Sequence, residues 1–419
     1  MEDADEARRA VQTVFRLERA RLVASLTRLV RDVAAAEELA QDALVAALEQ
    51  WPVEGVPDRP GAWLLAAARR RGVDALRHRT LADGRHAALA LEAAAGLPPV
   101  AHEEDPRAAG DDLLGLVLVA CHPVLSLEAR VALTLRLLCG LETDEIARAF
   151  LVPPATVAQR IVRAKRTLAE ARVPFEVPRG AALAERLPAV LQVVYLVFNE
   201  GYAATAGEDL MRPALCEEAL RLGRVLAGLA PGEPEVHGLV ALMELTASRA
   251  RARTGPDGAA VPLLEQDRGR WDRMLAARGL AALERARALG GARGPYALQA
   301  AIAGEHARAT TAAATDWPRI AALYDALAEI APSPVVELNR AMAVGLAYGP
   351  AEGLELLDAL REEPALEGYH LLPAARGDLL ERLGRRAEAS AAFTLAATLT
   401  RNARERAALL GRAARAVRG

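Results

Sequence analysis

Cysteines and aromatic residues are scarce in this chain. Its 419 residues include three cysteines, and aromatic residues make up 4% of the total. Cys121, Cys139 and Cys216 show no pairing pattern, and His122 beside Cys121 lacks the further ligands that a zinc site needs. We therefore expect reduced, buried thiols, no disulfide framework, no metal and no other cofactor.

Long apolar segments that target or span membranes are also missing from the sequence pattern. The N-terminus is acidic and has no apolar signal core, and no run approaches the length needed to cross a bilayer. The sequence therefore predicts a cytoplasmic protein with no membrane partner.

The residues that are abundant favour helices. Hydrophobic residues, mostly alanine and leucine, make up 52% of the chain, charged residues 26%, and the net charge is -3. This balance is typical of a globular protein. Valine and isoleucine rarely alternate with polar residues, as half-buried strands require. We predict an all-α fold of more than one domain.

Three helical blocks can be separated along the chain. Residues 8–80 are rich in arginine, and residues 112–173 form a second block that ends in prolines and a glycine. Between them, residues 81–111 mix small residues, prolines and an acidic cluster, which predicts an acidic linker. Residues 181–419 form a long C-terminal helical region.

The C-terminal region has a loose internal period. Similar helices open at Trp317, Ala351 and Ala387, which lie 34 and 36 residues apart. These spacings are near the length of a tetratricopeptide helix pair, and stacked pairs form a curved binding surface. Alanine-rich helices also produce such spacings by chance, so the repeat is a hypothesis.

A helix-turn-helix pattern occupies residues 141–170. In its second helix Val157, Ile161, Ala164 and Leu168 recur at helical spacing and should pack inward. Two short helices joined by a tight turn typically place the second helix in the major groove of DNA. The candidate DNA-contacting residues of this helix are Thr156, Gln159, Arg160, Arg163, Lys165 and Arg166.

A basic helix surface also has a simpler explanation. A run of charges usually marks a solvated surface, and arginine occurs throughout this chain whereas lysine hardly occurs at all. Residues 159–166 are nevertheless basic without an acid and lie beside a helix-turn pattern. That combination favours DNA binding.

Together with the first block, the helix-turn-helix resembles the extracytoplasmic-function sigma factors, the initiation subunits of bacterial RNA polymerase. The resemblance covers residues 8–172 and rests on elements in the family's order. These are the acidic helix AEELAQDALVAALEQW, the helix PGAWLLAAARRRGVDALRHR, a linker and the helix-turn-helix block. The resemblance implies two partners, core RNA polymerase and promoter DNA.

The resemblance also implies roles for residues of the first block. In the family, a polar ridge on the acidic helix docks on polymerase, and the next helix binds and opens the minus-ten element. The ridge residues here are Glu38, Gln41 and Asp42. The outward arginines of the next helix are Arg69, Arg70, Arg71 and Arg77. Many members have asparagine where Arg70 stands, so base preference does not transfer. Trp51 and Trp63 are expected in the core rather than stacked on bases.

The C-terminal region resembles the helical-repeat extension of one subgroup of these sigma factors. Members carry a segment like YLVFNEGY, here residues 195–202, and one like LLEQDRGRW, here residues 263–271. These segments could line a ligand groove, but salt bridges that fix helix packing are the preferred explanation. The candidate groove residues are Tyr195, Asn199, Glu200, Tyr202, Asp267, Arg268 and Trp271.

The sequence therefore predicts a sigma factor whose C-terminal region regulates it, with a regulatory protein as a candidate partner. A free-standing helix-turn-helix regulator is the first alternative, but such a protein has no need of the acidic helix. An enzyme is the second alternative. It lacks support because the C-terminal region contains no Ser/His/Asp set, phosphate loop or HExxH motif.

Overall fold

Helices are the dominant secondary structure of the described chain. The computed structural model describes residues 2–83, 106–150, 152–256 and 258–418. Within them the only strands are two short ones of two residues each, which confirms the predicted all-α class. The chain divides into two compact units, Met1–Val193 and Val194–Gly419.

The first unit begins with three long helices that pack on one another: α1 (Glu2–Val30), α2 (Val33–Glu54) and α3 (Pro60–Asp83). Asp32 caps α2 by accepting a hydrogen bond from the Ala35 N–H at 2.8 Å. The core includes Trp51, which is 2% exposed and meets the ring of Trp63 edge to face at 5.5 Å. Trp51 is thus a core residue, as expected, and we call these three helices the first module.

Four further helices form the second module: α4 (Pro106–Ala120), α5 (Leu127–Leu137), α6 (Thr143–Phe150) and α7 (Pro154–Glu170). Helix α4 begins inside residues 81–111, the segment expected to be an acidic linker, and residues 84–105 lie outside the described chain. Helices α5 and α6 both pack against α7, which positions α7 on the surface of the module.

Helix α8 (Ala181–Tyr202) follows, and the division between the two units falls within it. With 22 residues it passes the length and composition test for a membrane span, so the expectation that no run is long enough was wrong. Val190, Val197 and Phe198 of this helix are buried in the protein interior. An apolar core helix meets the same criteria, so one such helix in the described chain is weak evidence for a membrane.

The second unit is a series of helices, ten of which follow α8 in the described chain. They are α9 (Pro213–Leu229), α10 (Pro234–Ala247), α11 (Arg273–Ala288), α12 (Pro295–Arg308), α13 (Trp317–Ile330), α14 (Pro334–Ala347), α15 (Pro350–Ala359), α16 (Leu371–Arg382), α17 (Arg386–Leu399) and α18 (Ala403–Arg418). Short 3-10 turns lie at Ala250–Ala252, Leu263–Glu265, Arg268–Arg270 and Pro364–Leu366. Five of the ten helices begin with proline, whose missing N–H would have no partner there in any case.

From α12 to α18 each helix packs against the next one along the chain. Helices begin at Trp317, Pro350 and Arg386, each within one residue of the position expected from the internal period. Helices α14 and α15 approach closely because a Cβ on Gly353 would lie only 2.6 Å from the Cα of Gly345. The helix-pair arrangement is present, whereas the tetratricopeptide assignment itself stays a prediction.

A short parallel strand pair ties the end of the second unit to its beginning. Strand β1 (Ala206–Gly207) pairs with β2 (Arg401–Asn402). Asn402 is fully buried, and its amide donates to the carbonyls of Ala204 at 3.1 Å and Asp209 at 2.8 Å. Its side-chain oxygen also caps α18, so one residue fixes the last helix against the loop after α8.

The three cysteine thiols are free and buried, as the sequence predicted. Burial raises the pKa of Cys121 to about 11. Burial likewise raises the pKa of Cys216 to about 12. Neither thiol is therefore ionised at neutral pH, which suits packing rather than chemistry.

Candidate nucleic-acid interface

Helix α7 divides into a buried stripe and a polar surface. The predicted inward residues Val157, Ile161, Ala164 and Leu168 are all buried, which confirms the helical pattern. Pro154 is the first residue of the helix, and Pro153 before it makes no side-chain capping bond. Only three residues separate the end of α6 from the start of α7, so the two helices form the expected helix-turn-helix.

The polar surface of α7 carries most of the predicted DNA-contacting side chains. Gln159, Arg163 and Arg166 are exposed, and Thr156 and Arg160 are half-buried. Arg166 lies 3.3 Å from Glu170, but both side chains are largely solvated, so this pair stabilises the helix little. Exposed guanidinium and amide groups on one helix face can donate to phosphates or base edges.

Lys165, the only lysine of the chain, has a different environment. Its ammonium pairs with Glu37 of α2, whose side chain is only 8% exposed. Two more cations bind the same carboxylate, Arg19 of α1 at 2.7 Å and Arg136 of α5 at 2.9 Å. Glu142, at the start of α6, lies 3.3 Å from Arg19 and 2.5 Å from Arg136. We call these five residues the Glu37 ion cluster.

The Glu37 carboxylate is ionised in this environment. Burial alone would raise its pKa, but the hydrogen bond and charge of Lys165 and the charges of Arg136 and Arg19 outweigh that effect, so the pKa lies below the ordinary glutamate value. A buried carboxylate held by three cations is costly to disrupt, because any cation left behind loses its counter-ion.

The Glu37 ion cluster joins the two modules of the first unit. Glu37 and Arg19 belong to the first module, whereas Arg136, Glu142 and Lys165 belong to the second. A further pair between Arg28 of α1 and Asp112 of α4, at 3.3 Å, crosses the same boundary. While the cluster is intact, the Lys165 ammonium is bound to protein and is not available to a DNA phosphate.

Helix α2 presents an acidic ridge beside this contact. Glu38 and Asp42 are exposed and Gln41 is half-buried, as the sequence predicted. On the opposite face of α2, Ala36, Ala40, Ala47 and Trp51 are buried and Leu44 is half-buried. Val45 and Glu49 extend the exposed ridge at helical spacing, so an apolar side chain stands between acids.

The described arginine side chains at the predicted DNA-contacting positions of α3 all hydrogen-bond to protein atoms. Arg69 is half-buried and donates to the Ser25 hydroxyl at 2.8 Å. Arg70 is exposed, with its Nε 3.3 Å from the Ala66 carbonyl of its own helix. Arg71 is exposed and donates to the backbone carbonyl of Asp42. The side chain of Arg77 lies outside the described residues. Among the side chains of this helix that the structure describes, the exposed positive charge comes from Arg70 and Arg71.

Comparison with known protein families gives the same order of elements. A Sigma-70 region 2 model matches residues 14–81, and a Sigma-70 region 4 model matches residues 116–168. The chain belongs to the sigma-70 family. An uncharacterized protein of Rhizobium meliloti (strain 1021) is 44% identical over 394 residues, which cover 93% of this chain and 92% of that protein.

This sigma factor also carries a C-terminal extension. Residues 186–287 match a family of unknown function, DUF6596. The similarity to the Rhizobium meliloti protein covers most of both chains, so it includes much of the extension. The predicted groove segments, residues 195–202 and 263–271, both lie within the matched part.

The first groove segment of the sigma factor makes structural contacts. The Tyr195 hydroxyl donates to the side-chain oxygen Oε1 of Gln299 at 3.2 Å. Glu200 is buried, pairs with Arg212 and accepts a hydrogen bond from the Thr205 hydroxyl at 2.9 Å. This salt bridge fixes the end of α8 against the start of α9. Asn199 is exposed.

The second groove segment makes its contacts through a turn cap and hydrogen bonds to backbone carbonyls, and it forms no salt bridge in the described chain. Asp267 forms no salt bridge in the described chain, and its carboxylate caps the Arg268–Arg270 turn through the Gly269 N–H at 2.8 Å. Arg268 donates to the carbonyls of His306 at 2.5 Å and Ala309 at 2.7 Å. Trp271 is buried, and the guanidinium carbon of Arg268 lies over its ring, 4.9 Å from the ring centroid.

Several contributing residues of the sigma factor were missed by the sequence analysis. Glu37 lies beside the predicted ridge, and no local pattern distinguishes it from Glu38. Arg253 stacks over the ring of Tyr202 at 4.1 Å and donates to its carbonyl. The alternating arginines of residues 249–253 were the one signal in the sequence that marks this region.

Replacing Glu37 with glutamine should destabilise the first unit. The variant leaves Arg19, Arg136 and Lys165 close together without the buried negative charge. We expect a loss of about 3 kcal/mol of unfolding free energy at pH 7, as for other broken buried ion pairs. Urea unfolding followed by the fluorescence of Trp51 and Trp63 measures it.

The matched control is Glu38→Gln, one residue away and exposed, which should change stability little. Ionised Glu37 stabilises the fold fully above the ordinary glutamate pKa of about 4.3, and this stabilisation is lost as the pH falls through the lowered folded-state value. The difference between wild type and Glu37→Gln should therefore vanish in acid. Equal stability of the two variants at pH 7 would contradict the role given to Glu37.

Proposed function

We propose that this protein is an alternative sigma factor of the extracytoplasmic-function type, which directs core RNA polymerase to particular promoters in the cytoplasm. The observation that carries the proposal is the pairing of an exposed acidic ridge on the first module with an exposed polar helix-turn-helix face on the second. A free-standing DNA-binding regulator would use the second feature and has no use for the first.

The acidic ridge of α2 suits a docking surface for polymerase. Glu38 and Asp42 are exposed and form no ion pair within the described chain. Val45 between Asp42 and Glu49 supplies apolar contact area, so a basic partner surface with an apolar spot would be complementary. Charged ridges of this kind determine partner choice and association rate.

The polar face of α7 suits recognition of the upstream promoter element. Arg163 can donate two parallel hydrogen bonds to guanine, and Gln159 can pair in the same way with adenine. Arg160 and Arg166 supply phosphate contacts that fix the helix in the groove. The exposed arginines of α3, Arg70 and Arg71, would contact the minus-ten element.

Binding both elements requires the two modules to separate. The minus-ten element and the upstream element at minus thirty-five lie about 25 base pairs apart. Along a duplex that rises about 3.4 Å per base pair, this separation is about 85 Å. A compact unit of 193 residues has a radius of gyration of only about 16 Å. The Glu37 ion cluster must therefore open, and polymerase can drive opening if it binds the open form more tightly.

The C-terminal extension is proposed to regulate this step. Its successive packed helices are of the tetratricopeptide-like kind, and such stacks bind peptides or proteins on a concave surface. A regulatory protein or a small ligand would act by binding one state of the sigma factor more tightly than the other. No catalytic role is proposed.

Charge reversal in the ridge should abolish polymerase binding. Asp42→Arg places a positive charge in the proposed interface, so we expect affinity for core polymerase to fall by more than about tenfold while duplex binding is unchanged. Co-purification and titration with core polymerase measure this. Glu176→Arg, an exposed acid outside the helices, is the control. Failure of the wild-type chain to bind polymerase would favour the free-standing regulator.

Truncation of Arg163 should weaken recognition of the upstream element. If its guanidinium contacts a base, Arg163→Ala should cost about 1 to 3 kcal/mol on the preferred sequence and less on others. Promoter-library transcription with core polymerase identifies that sequence, and binding is then measured at several salt concentrations. Arg179→Ala, an exposed arginine outside the helices, is the control. A uniform loss on all sequences would instead indicate a phosphate contact, and no loss would remove Arg163 from the interface.

A further inference from the structure

Buried hydrogen-bonding groups without partners are concentrated around Trp271 in the second unit. Most buried polar groups in folded proteins are hydrogen-bonded, so several unpaired groups in one place need an explanation. The unpaired groups here are Arg249 Nε, Arg268 Nε, Trp271 Nε1 and His306 Nδ1. Trp271 and His306 are each only 7% exposed, so bulk water does not readily satisfy them.

These groups belong to one cluster. The guanidinium carbons of Arg249 and Arg268 lie 5.9 and 4.9 Å from the centroid of the Trp271 ring. The Arg268 guanidinium also donates to the carbonyl of His306 at 2.5 Å, which places the imidazole residue beside it. Arg249 precedes the Ala250–Ala252 turn after α10, and Arg268 opens the Arg268–Arg270 turn.

The cluster carries positive charge that no carboxylate balances. In the described chain, the side chain of Arg249 forms no hydrogen bond or ion pair, and the Arg268 guanidinium donates only to neutral oxygens. Asp267 and Asp272, the acids next to Arg268 and Trp271 in the sequence, use their carboxylates to cap backbone N–H groups. Two guanidinium groups near one indole ring without an acid favour an anionic guest.

The imidazole of His306 does not add to this charge. Burial and the nearby charges of Arg249 and Arg268 lower the pKa of His306 to about 3, so the ring is neutral at physiological pH. Its unpaired Nδ1 is therefore able to donate or accept a hydrogen bond, according to the tautomer. A neutral ring supplies a hydrogen bond to a ligand without increasing the repulsion between the arginines.

Aromatic rings surround the cationic groups in a chain with only 4% aromatic residues. His306 meets Trp317 edge to face at 5.2 Å. Tyr324 is near enough to Arg249 for that charge to influence it, although burial dominates and raises the pKa of Tyr324 to about 12. Aromatic surface beside guanidinium groups suits an anion attached to an apolar or planar body.

We propose that Arg249, Arg268 and Trp271 form a binding site for the oxyanion of a small molecule, a carboxylate or a phosphate group. The Arg249 guanidinium is the principal anion ligand because no protein group occupies it. Arg268 Nε–H and Trp271 Nε1–H are the additional donors. Binding at this site does not depend on the proposed sigma-factor function, whereas any effect of the ligand on transcription rests on that function.

A purely structural role explains only part of the cluster. The terminal nitrogens of Arg268 hold residues 306–315 in place through His306, Ala309 and the Thr315 hydroxyl at 2.9 Å. That clamp leaves Arg249 without a function and the Trp271 indole N–H without an acceptor. Arg249 therefore separates the two explanations, since its replacement removes an anion ligand and breaks no protein hydrogen bond.

The test uses the full chain labelled with ¹⁵N at its four tryptophan indoles. Inorganic phosphate and benzoate are the anionic probes, and benzamide is the neutral control. Trp271→Phe assigns the Trp271 indole signal. We expect saturable movement of that signal with at least one anion and none with benzamide, while the signals of Trp51 and Trp63 stay fixed. Movement with one anion alone distinguishes a phosphate ligand from a carboxylate ligand.

Arg249→Gln should weaken binding of the effective anion by about tenfold or more. Arg251→Gln is the matched control, because Arg251 is exposed on the adjoining turn and should bind as wild type. Thermal unfolding of both variants checks that they fold equally well. The proposal is overturned if neither anion moves the Trp271 signal, or if Arg249→Gln binds as tightly as Arg251→Gln.

Discussion

The first unit of this sigma factor depends on the environment of one carboxylate. Glu37 is buried, and removing a carboxylate from water is so costly that it is stable there only with close cations around it. Arg19 belongs to the same module, whereas Arg136 and Lys165 come from the other. The structure shows the closed state of this contact, with three cations on Glu37, and the proposed function requires a second, open state in which water reaches the carboxylate.

In the proposed function, the same arrangement would couple polymerase docking to DNA recognition. Glu38 and Asp42 of the acidic ridge lie on the helix that carries Glu37, and Lys165 lies on the helix that carries Arg163. Lys165 is paired with Glu37 in the structure, and in the proposed function a DNA phosphate would compete with Glu37 for its ammonium. A partner that shifts α2 by a small amount would break the cluster, because short-range ion pairs in a dry site tolerate little displacement.

The sequence identified the elements whose signals are local. The stripe from Val157 to Leu168 and the ridge at Glu38 and Asp42 follow from helical periodicity and appear in the structure as expected. Glu37 could not be found in this way, because its burial depends on residues 99 and 128 positions away in the chain. Glu37 differs from the exposed Glu38 because Arg136 of α5 and Lys165 of α7 bind its carboxylate in the folded unit.

In the C-terminal extension too, local patterns were predictable from the sequence, whereas contacts between distant residues were not. Spacing located the helix starts near Trp317, Ala351 and Ala387, since each repeat is a local unit. The residues that join distant parts, such as Asn402 with Ala204 and Arg268 with Thr315, carry no periodic signal. The groove residues were named from a family resemblance, and the sequence did not reveal their partners. Those partners determine whether a side chain is structural or available to a ligand.

The chemical reactivity of Lys165 tests the central claim most directly, because the chain has no other lysine. Amine acylation mapped by mass spectrometry would compare the free chain with its complex with core polymerase, using the N-terminal amine as the internal reference. The account predicts slow acylation of Lys165 in the free chain and much faster acylation in the complex and in free Glu37→Gln. Equal reactivity of Lys165 in the free chain and in the polymerase complex would contradict it.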